Sequence, residues 1–135
     1  MFSTHGVVKP KQIIKAACLG CHPDSTVEKK QYEMESIINY TKGKMRKSEY
    51  WLGQLIDSYA AAQRMGVTES VLTQAREKHE EAHVLWEYWT AENSDGFHNP
   101  GLARESLTGS IAASKAGVKI LNDAMAVVTK GEAKK

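Results

Sequence analysis

STVEKKQYEMESIINYTKGKMRKSEYWLGQLIDSYAAAQR, residues 25–64, runs without a proline and keeps returning to an apolar side chain. Val27, Met34, Ile37, Ile38, Met45, Leu52, Leu55, Ile56 and Tyr59 recur at helical spacing, with charged and amide side chains between them. Ser25-Thr26-Val27-Glu28 fits a capping box, in which Ser25 caps the amide of Glu28 and Glu28 reaches back. The stretch predicts one long helix from about Ser25 to Arg64. Gly43 and Gly53 are its weak points, each costing about 1 kcal/mol against alanine. Tyr50 and Trp51 flank the second half and widen its apolar face.

The same pattern repeats downstream. Met65-Gly66-Val67 reads as a tight connection, with Gly66 just past a helix end. Thr68 is a good N-cap for a second helix. Its stripe is Val71, Leu72, Ala75, His79, Ala82, Leu85, Trp86 and Trp89, and it should stop near Glu92, because Asn93-Ser94-Asp95-Gly96 is turn chemistry. Asn99 and Pro100 are a favourable N-cap and first-turn pair for a third helix. That helix carries Leu102, Leu107, Ile111, Val118, Leu121, Met125 and Val128 to about Lys130, where Gly131 should end it. No segment reads as a strand pair. The fold class expected is all-α, with three long helices joined by short loops, so neighbours should run antiparallel. Upstream, Met1 to about Gln12 has little periodicity, and a short helical segment is expected around Ile13 to Cys21. At 1.5 Å per residue, helices of about 25 to 40 residues are rods of roughly 35 to 60 Å. That is more than a compact three-helix monomer needs. The excess is expected to pack against a second copy, as a homodimer, or against another chain.

Composition narrows the function classes. The chain has 135 residues, 41% hydrophobic and 25% charged, which suits one folded domain and excludes a largely disordered chain. Lys plus Arg number 18 against 16 Asp plus Glu, a formal charge of +2, so there is no electrostatic case for nucleic acid or an anionic membrane as partner. No apolar run approaches the roughly 18 residues that cross a bilayer, and no membrane span is expected. Met1-Phe2-Ser3-Thr4-His5-Gly6 lacks the basic and apolar regions of a signal peptide.

The two cysteines, Cys18 and Cys21, stand three apart in Cys18-Leu19-Gly20-Cys21-His22. This is the attachment pattern of a c-type haem. Two thiols at that spacing lie on one face of a helical turn, where each can form a thioether with one vinyl group. His22, four residues from Cys18, lies below the same face and can reach the iron. Gly20 lets the porphyrin edge approach the backbone. A zinc site on the same residues would need four ligands, and the chain has no further cysteine. A thioredoxin-like pair would need a strand–helix context.

A second string, His79-Glu80-Glu81-Ala82-His83, matches the helix of zinc hydrolases, with His79 and His83 as ligands and Glu80 as general base. Such helices normally accompany a substrate-binding strand, which is not expected here. His79 also falls on the apolar stripe. His98 as third ligand would leave the haem motif unexplained. The plainer reading is a helix with Glu, Lys and His on its solvent side. His98 itself sits in the turn before the third helix, held by two rigid elements. His5 lies in the N-terminal arm.

From His5 through Cys18-Leu19-Gly20-Cys21-His22, and again at Gly96-Phe97-His98-Asn99-Pro100, the sequence resembles the C-terminal part of ammonia-forming cytochrome c nitrite reductase, the pentahaem periplasmic enzyme. A His-x-x-x-x-Pro arm, the last haem motif, long helices and a Gly-aromatic-His loop follow in the family's order over nearly the whole chain. The resemblance implies that Cys18 and Cys21 hold haem c and that His22 is the proximal iron ligand. It implies that His5 and His98 are distal ligands, of neighbouring haems rather than all of this one. It further implies a homodimer built on the long helices, with Trp51, Trp86 and Trp89 near that surface. Another haem-bearing domain or chain, a redox donor protein and a periplasmic location follow from it too. The family's catalytic CxxC-Lys motif and its substrate-binding Arg, Tyr and His lie upstream of this region. No catalytic residue is therefore assigned here, and the chain is expected to relay electrons as part of a longer multihaem protein. The alternative is a stand-alone monohaem electron-transfer cytochrome. On either reading residues 1–135 form a single haem-binding helical domain: attachment segment 1–24, long helices 25–130 and tail 131–135.

Overall fold

The computed structural model describes Ala16 and residues 18–132. Three helices account for most of them: α1 (Asp24–Arg64), α2 (Glu69–Ala91) and α3 (Pro100–Glu132). Among the described residues there is no strand, and no helix is long and apolar enough to cross a membrane. The protein is all-α.

All three helices bury side chains on a seven-residue repeat. On α1, Val27, Met34, Thr41, Ser48, Leu55 and Ala62 are buried at steps of seven, with Ile38 and Leu52 buried at the intervening positions. On α2, Leu72, Ala75, Ala82 and Trp89 are buried, and the half-buried His79 and Trp86 complete the repeat. On α3, Ala103, Ser110 and Gly117 alternate with Leu107, Ser114 and Leu121. A repeat of 3.5 residues keeps one seam facing its partners along a left-handed supercoil, so long rods stay in contact over their length.

Cross-helix contacts fix the direction of each rod. Lys44 meets Thr108 and Ser48 meets Ser110, so α1 and α3 run parallel. Tyr59 meets Arg76, and Ala82 meets Ser110, so α2 is antiparallel to both. Neighbours in sequence are antiparallel, as expected. The core falls in three clusters along this bundle. Leu55, Ala62, Val67, Leu72, Ala75 and Leu121 form one end, and Leu52, Ala82 and Ala113 the middle. Trp89, Ala103 and Leu107 form the other end, with Met45 and Trp86 packed against them. Small side chains in the middle let the three backbones approach: a Cβ on Gly117 would meet Leu55 at 2.7 Å and Lys78 at 3.2 Å.

Two boundaries differ from expectation. The Ser25–Glu28 capping box does not form. The helix begins one residue earlier, with Pro23 extended at the N-cap (φ −67°, ψ 152°) and its carbonyl accepting from the amides of Thr26 and Val27. Ser25 is thereby already inside the first turn, where a hydroxyl no longer faces the free amides. Thr68 does occupy the N-cap of α2, without a capping bond from its side chain. Gly131 does not stop α3, which continues to Glu132. Gly66, at φ 73°, ends the tight connection between α1 and α2 as its sequence suggests.

Candidate functional site

Cys18 to His22 form a single closed turn at the foot of α1. The Cys18 carbonyl accepts from the amides of Cys21 (3.1 Å) and His22 (2.9 Å). Pro23 follows directly as the N-cap of α1, so the turn is joined to a rigid rod. Both cysteines are free thiols, Cys18 half-buried and Cys21 exposed. His22 is exposed, and a Cβ on Gly20 would meet nothing within 4 Å. The donor set suits haem c: two reduced thiols and an imidazole on one turn, beside open space at Gly20.

The second element is the loop between α2 and α3. Its centre is Glu92, whose carboxylate accepts from Ser94 N (2.9 Å), Ser94 Oγ (2.8 Å) and Gly96 N (2.9 Å). Ser94 Oγ in turn accepts from His98 N at 3.0 Å. His98 Nδ1 lies 3.7 Å from Glu92 Oε1, and its side chain is 67% exposed against 16% for Glu92. The loop is pinned on α1: Gly96 packs on Thr41, and Asp95 pairs with Lys42 at 3.4 Å. Asp95 and Gly96 both adopt positive φ, 54° and 85°. Asn99 Oδ1 caps α3 by accepting from Leu102 N at 3.1 Å, as its sequence predicts. Burial alone would raise the Glu92 carboxyl. The amides of Gly96 and Ser94, the Ser94 hydroxyl and the nearby His98 outweigh it and hold that carboxyl below its ordinary range.

The candidate ligands do not converge on one point. The loop carrying His98 is level with Thr41 and Lys42, whereas the cysteine turn precedes Asp24. Seventeen residues of α1 separate the two levels, roughly 25 Å at 1.5 Å per residue. His98 is therefore too far away to reach an iron held on His22. His5 lies outside the described residues. On α2, His79 and His83 stack at 5.6 Å between ring centroids, and His83 Nδ1 faces Glu87 at 3.6 Å. His79 lines a groove with Leu55, Tyr59 and Arg76. Among the described residues no group of three His, Cys, Asp or Glu side chains converges to hold a metal ion.

Sequence reasoning missed Glu92. Its signal was a carboxylate at a helix C-terminus, where the macrodipole disfavours negative charge. An acidic residue there has a local use, here the amides of the turn that follows.

The profile of the cytochrome c552 family matches residues 1–134. The chain belongs to the cytochrome c552 family. A curated relative, the cytochrome c nitrite reductase subunit NrfA of Nitratidesulfovibrio vulgaris strain Hildenborough, is 27% identical over 118 residues. The match covers 80% of this chain and 22% of that relative, so the chain spans about a fifth of the relative's length. This member of the cytochrome c552 family is a nitrite reductase-related cytochrome. Its one cysteine pair lies in the CxxCH turn at the foot of α1, the attachment pattern of a c-type haem.

Proposed function

We propose that this chain is the haem c-binding, electron-transfer portion of an ammonia-forming cytochrome c nitrite reductase. The turn Cys18–His22 carries the proposal: two free thiols and an exposed imidazole, presented together beside open space at Gly20. Haem c supplies one-electron redox chemistry when bound. Cys18 and Cys21 would hold it by adding their thiols across its two vinyl groups, each addition breaking an S–H bond and a C=C π bond and forming an S–C and a C–H bond, with nothing lost. His22 presents its imidazole as the proximal ligand. Pro23 and α1 hold the turn at a fixed place, so the electron-transfer distance to a neighbouring centre does not wander. His98, remote from this turn, and His5 serve as distal ligands to haems carried by another domain or chain of the same enzyme. Reduction of nitrite takes place on that other part, with electrons from a redox donor protein. A periplasmic location and a homodimer built on the long helices complete the reading.

The test is the intact mass of the denatured protein after expression in a periplasm equipped for haem attachment. One added haem is expected, lost in Cys18→Ser/Cys21→Ser. A bare mass under conditions that mature a control cytochrome c would overturn the reading.

A further inference from the structure

Three features of His98 need a common explanation: its exposure, the carboxylate beside it and the rigidity of its loop. The carboxylate of Glu92 is not a loose surface charge. Three hydrogen bonds, from the Ser94 amide and hydroxyl and the Gly96 amide, fix both of its oxygens. The Ser94 hydroxyl spends its proton on Glu92 and accepts from the His98 amide, tying the His98 backbone to the same group. Phe97 flanks the His98 ring at 6.3 Å between centroids. Within this frame Glu92 Oε1 stands 3.7 Å from Nδ1. No described residue takes Nε2.

We propose that Glu92 is the positioning residue of His98. Its fixed carboxylate keeps the ring proton on Nδ1 and leaves the Nε2 lone pair as the donor for an axial bond to a haem iron. A histidine that binds a metal through one nitrogen typically donates the other N–H to a carboxylate or carbonyl, which sets the tautomer and raises the ligand's basicity. The loop holds the carboxylate beside Nδ1, 3.7 Å away, close enough to favour the proton there electrostatically. The ordering is supplied by Gly96 packed on Thr41, by the Asp95–Lys42 pair and by the Asn99 cap of α3. His98 then presents Nε2 outward at little further entropic cost. The inference rests on the proposed role of His98 as a distal ligand but concerns a residue outside any haem motif.

The experiment is a long-range ¹H–¹⁵N spectrum of the imidazoles in the haem-loaded full chain, at about pH 8.5, where imidazoles are generally neutral. Loss of signals in His98→Ala assigns the ring. In the wild type His98 is expected mainly as the Nδ1–H tautomer. In Glu92→Met, which removes the carboxylate and keeps the length of the side chain, it should move to the Nε2–H form that free histidine prefers. A wild-type His98 found as Nε2–H overturns the proposal, since a purely structural Glu92 would leave the ring in its free preference. So does an unchanged tautomer in folded Glu92→Met. Should that variant not fold, the wild-type spectrum decides alone. The mass of the same sample reports haem on Cys18 and Cys21, so loss of the haem reading and loss of the Glu92 role are separately visible.

Discussion

Gly96 rests directly on Thr41: a Cβ at position 96 would lie 2.7 Å from both Oγ1 and Cγ2 of that side chain, which is 2% exposed. This contact joins the loop of His98 to the middle of α1, and it leaves no space for any residue but glycine.

Gly96→Ala should therefore destabilise the protein. Position 96 has φ 85°, where alanine is strained by about 1 kcal/mol, and the buried Thr41 has nowhere to retreat. A loss of about 2 kcal/mol or more in urea unfolding is expected. Gly53→Ala is the contrast. It lies in mid-helix with nothing within 4 Å of a new Cβ, so it should stabilise by up to about 1 kcal/mol. Equal effects at the two positions would contradict the packing described for the loop.

The seam between α1 and α3 gives a second expectation. Ser110 donates its hydroxyl proton to the Ala82 carbonyl at 2.7 Å. The proton between Ser48 Oγ and Ser110 Oγ must then come from Ser48. The chain of hydroxyls has a direction, from Ser48 through Ser110 to Ala82. Ser110→Ala strands the buried Ser48 donor and should cost about 1–3 kcal/mol. Ser48→Ala leaves the Ser110 donor satisfied and should cost only about 1 kcal/mol. The double variant should lose less than the two single losses added together. Simple additivity, or a larger loss at Ser48, would reverse the assigned direction.

That seam also shows what the sequence reveals and what it hides. Val27, Met34, Leu52, Leu55, Leu107 and Leu121 announce the helices because they are apolar, and all are buried. Thr41, Ser48, Ser110, Ser114 and Gly117 occupy the same repeat and are equally buried, yet a scan for apolar residues passes over them. They are there because close backbones need small side chains, a property of the partner helix rather than of the local sequence. Ile56 and Leu102 err the other way, apolar but 54% and 44% exposed. The cysteine turn was legible because covalent haem attachment needs a fixed spacing. The distance from it to His98 was not, because that depends on which part of α1 receives the loop.

Self-association is the third expectation. α1 exposes Tyr32, Tyr40, Tyr50 and Ile56. Rods of this length, roughly 60 Å for α1, offer a long flank to a second copy. Light scattering of the haem-loaded protein at micromolar concentration should give twice the chain mass. A stable monomer at that concentration would overturn the homodimer.

The last expectation concerns acid. The carboxyl of Glu92 is held below its ordinary value of 4.5. Burial opposes the shift, and the donors of Gly96 and Ser94, with His98 beside them, produce it. A carboxyl depressed in the folded state binds its proton more weakly there than in the unfolded chain. Its contribution to stability is thus complete above the unfolded value and is lost as pH falls through the folded value. Above about pH 5.5 the Glu92 carboxyl itself adds no pH dependence to the stability gap between wild type and Glu92→Gln. Below about pH 4.5 the gap should narrow with every further step into acid, as the wild type takes up the proton that the glutamine variant cannot. Asp95, Lys42 and His98 also face this loop in both proteins, so taking the difference removes most of the effect they share. Urea unfolding across pH 3 to 7 measures the gap. A gap that widens in acid would mean the carboxyl is raised rather than lowered, and the three donors would not be holding it as the geometry requires.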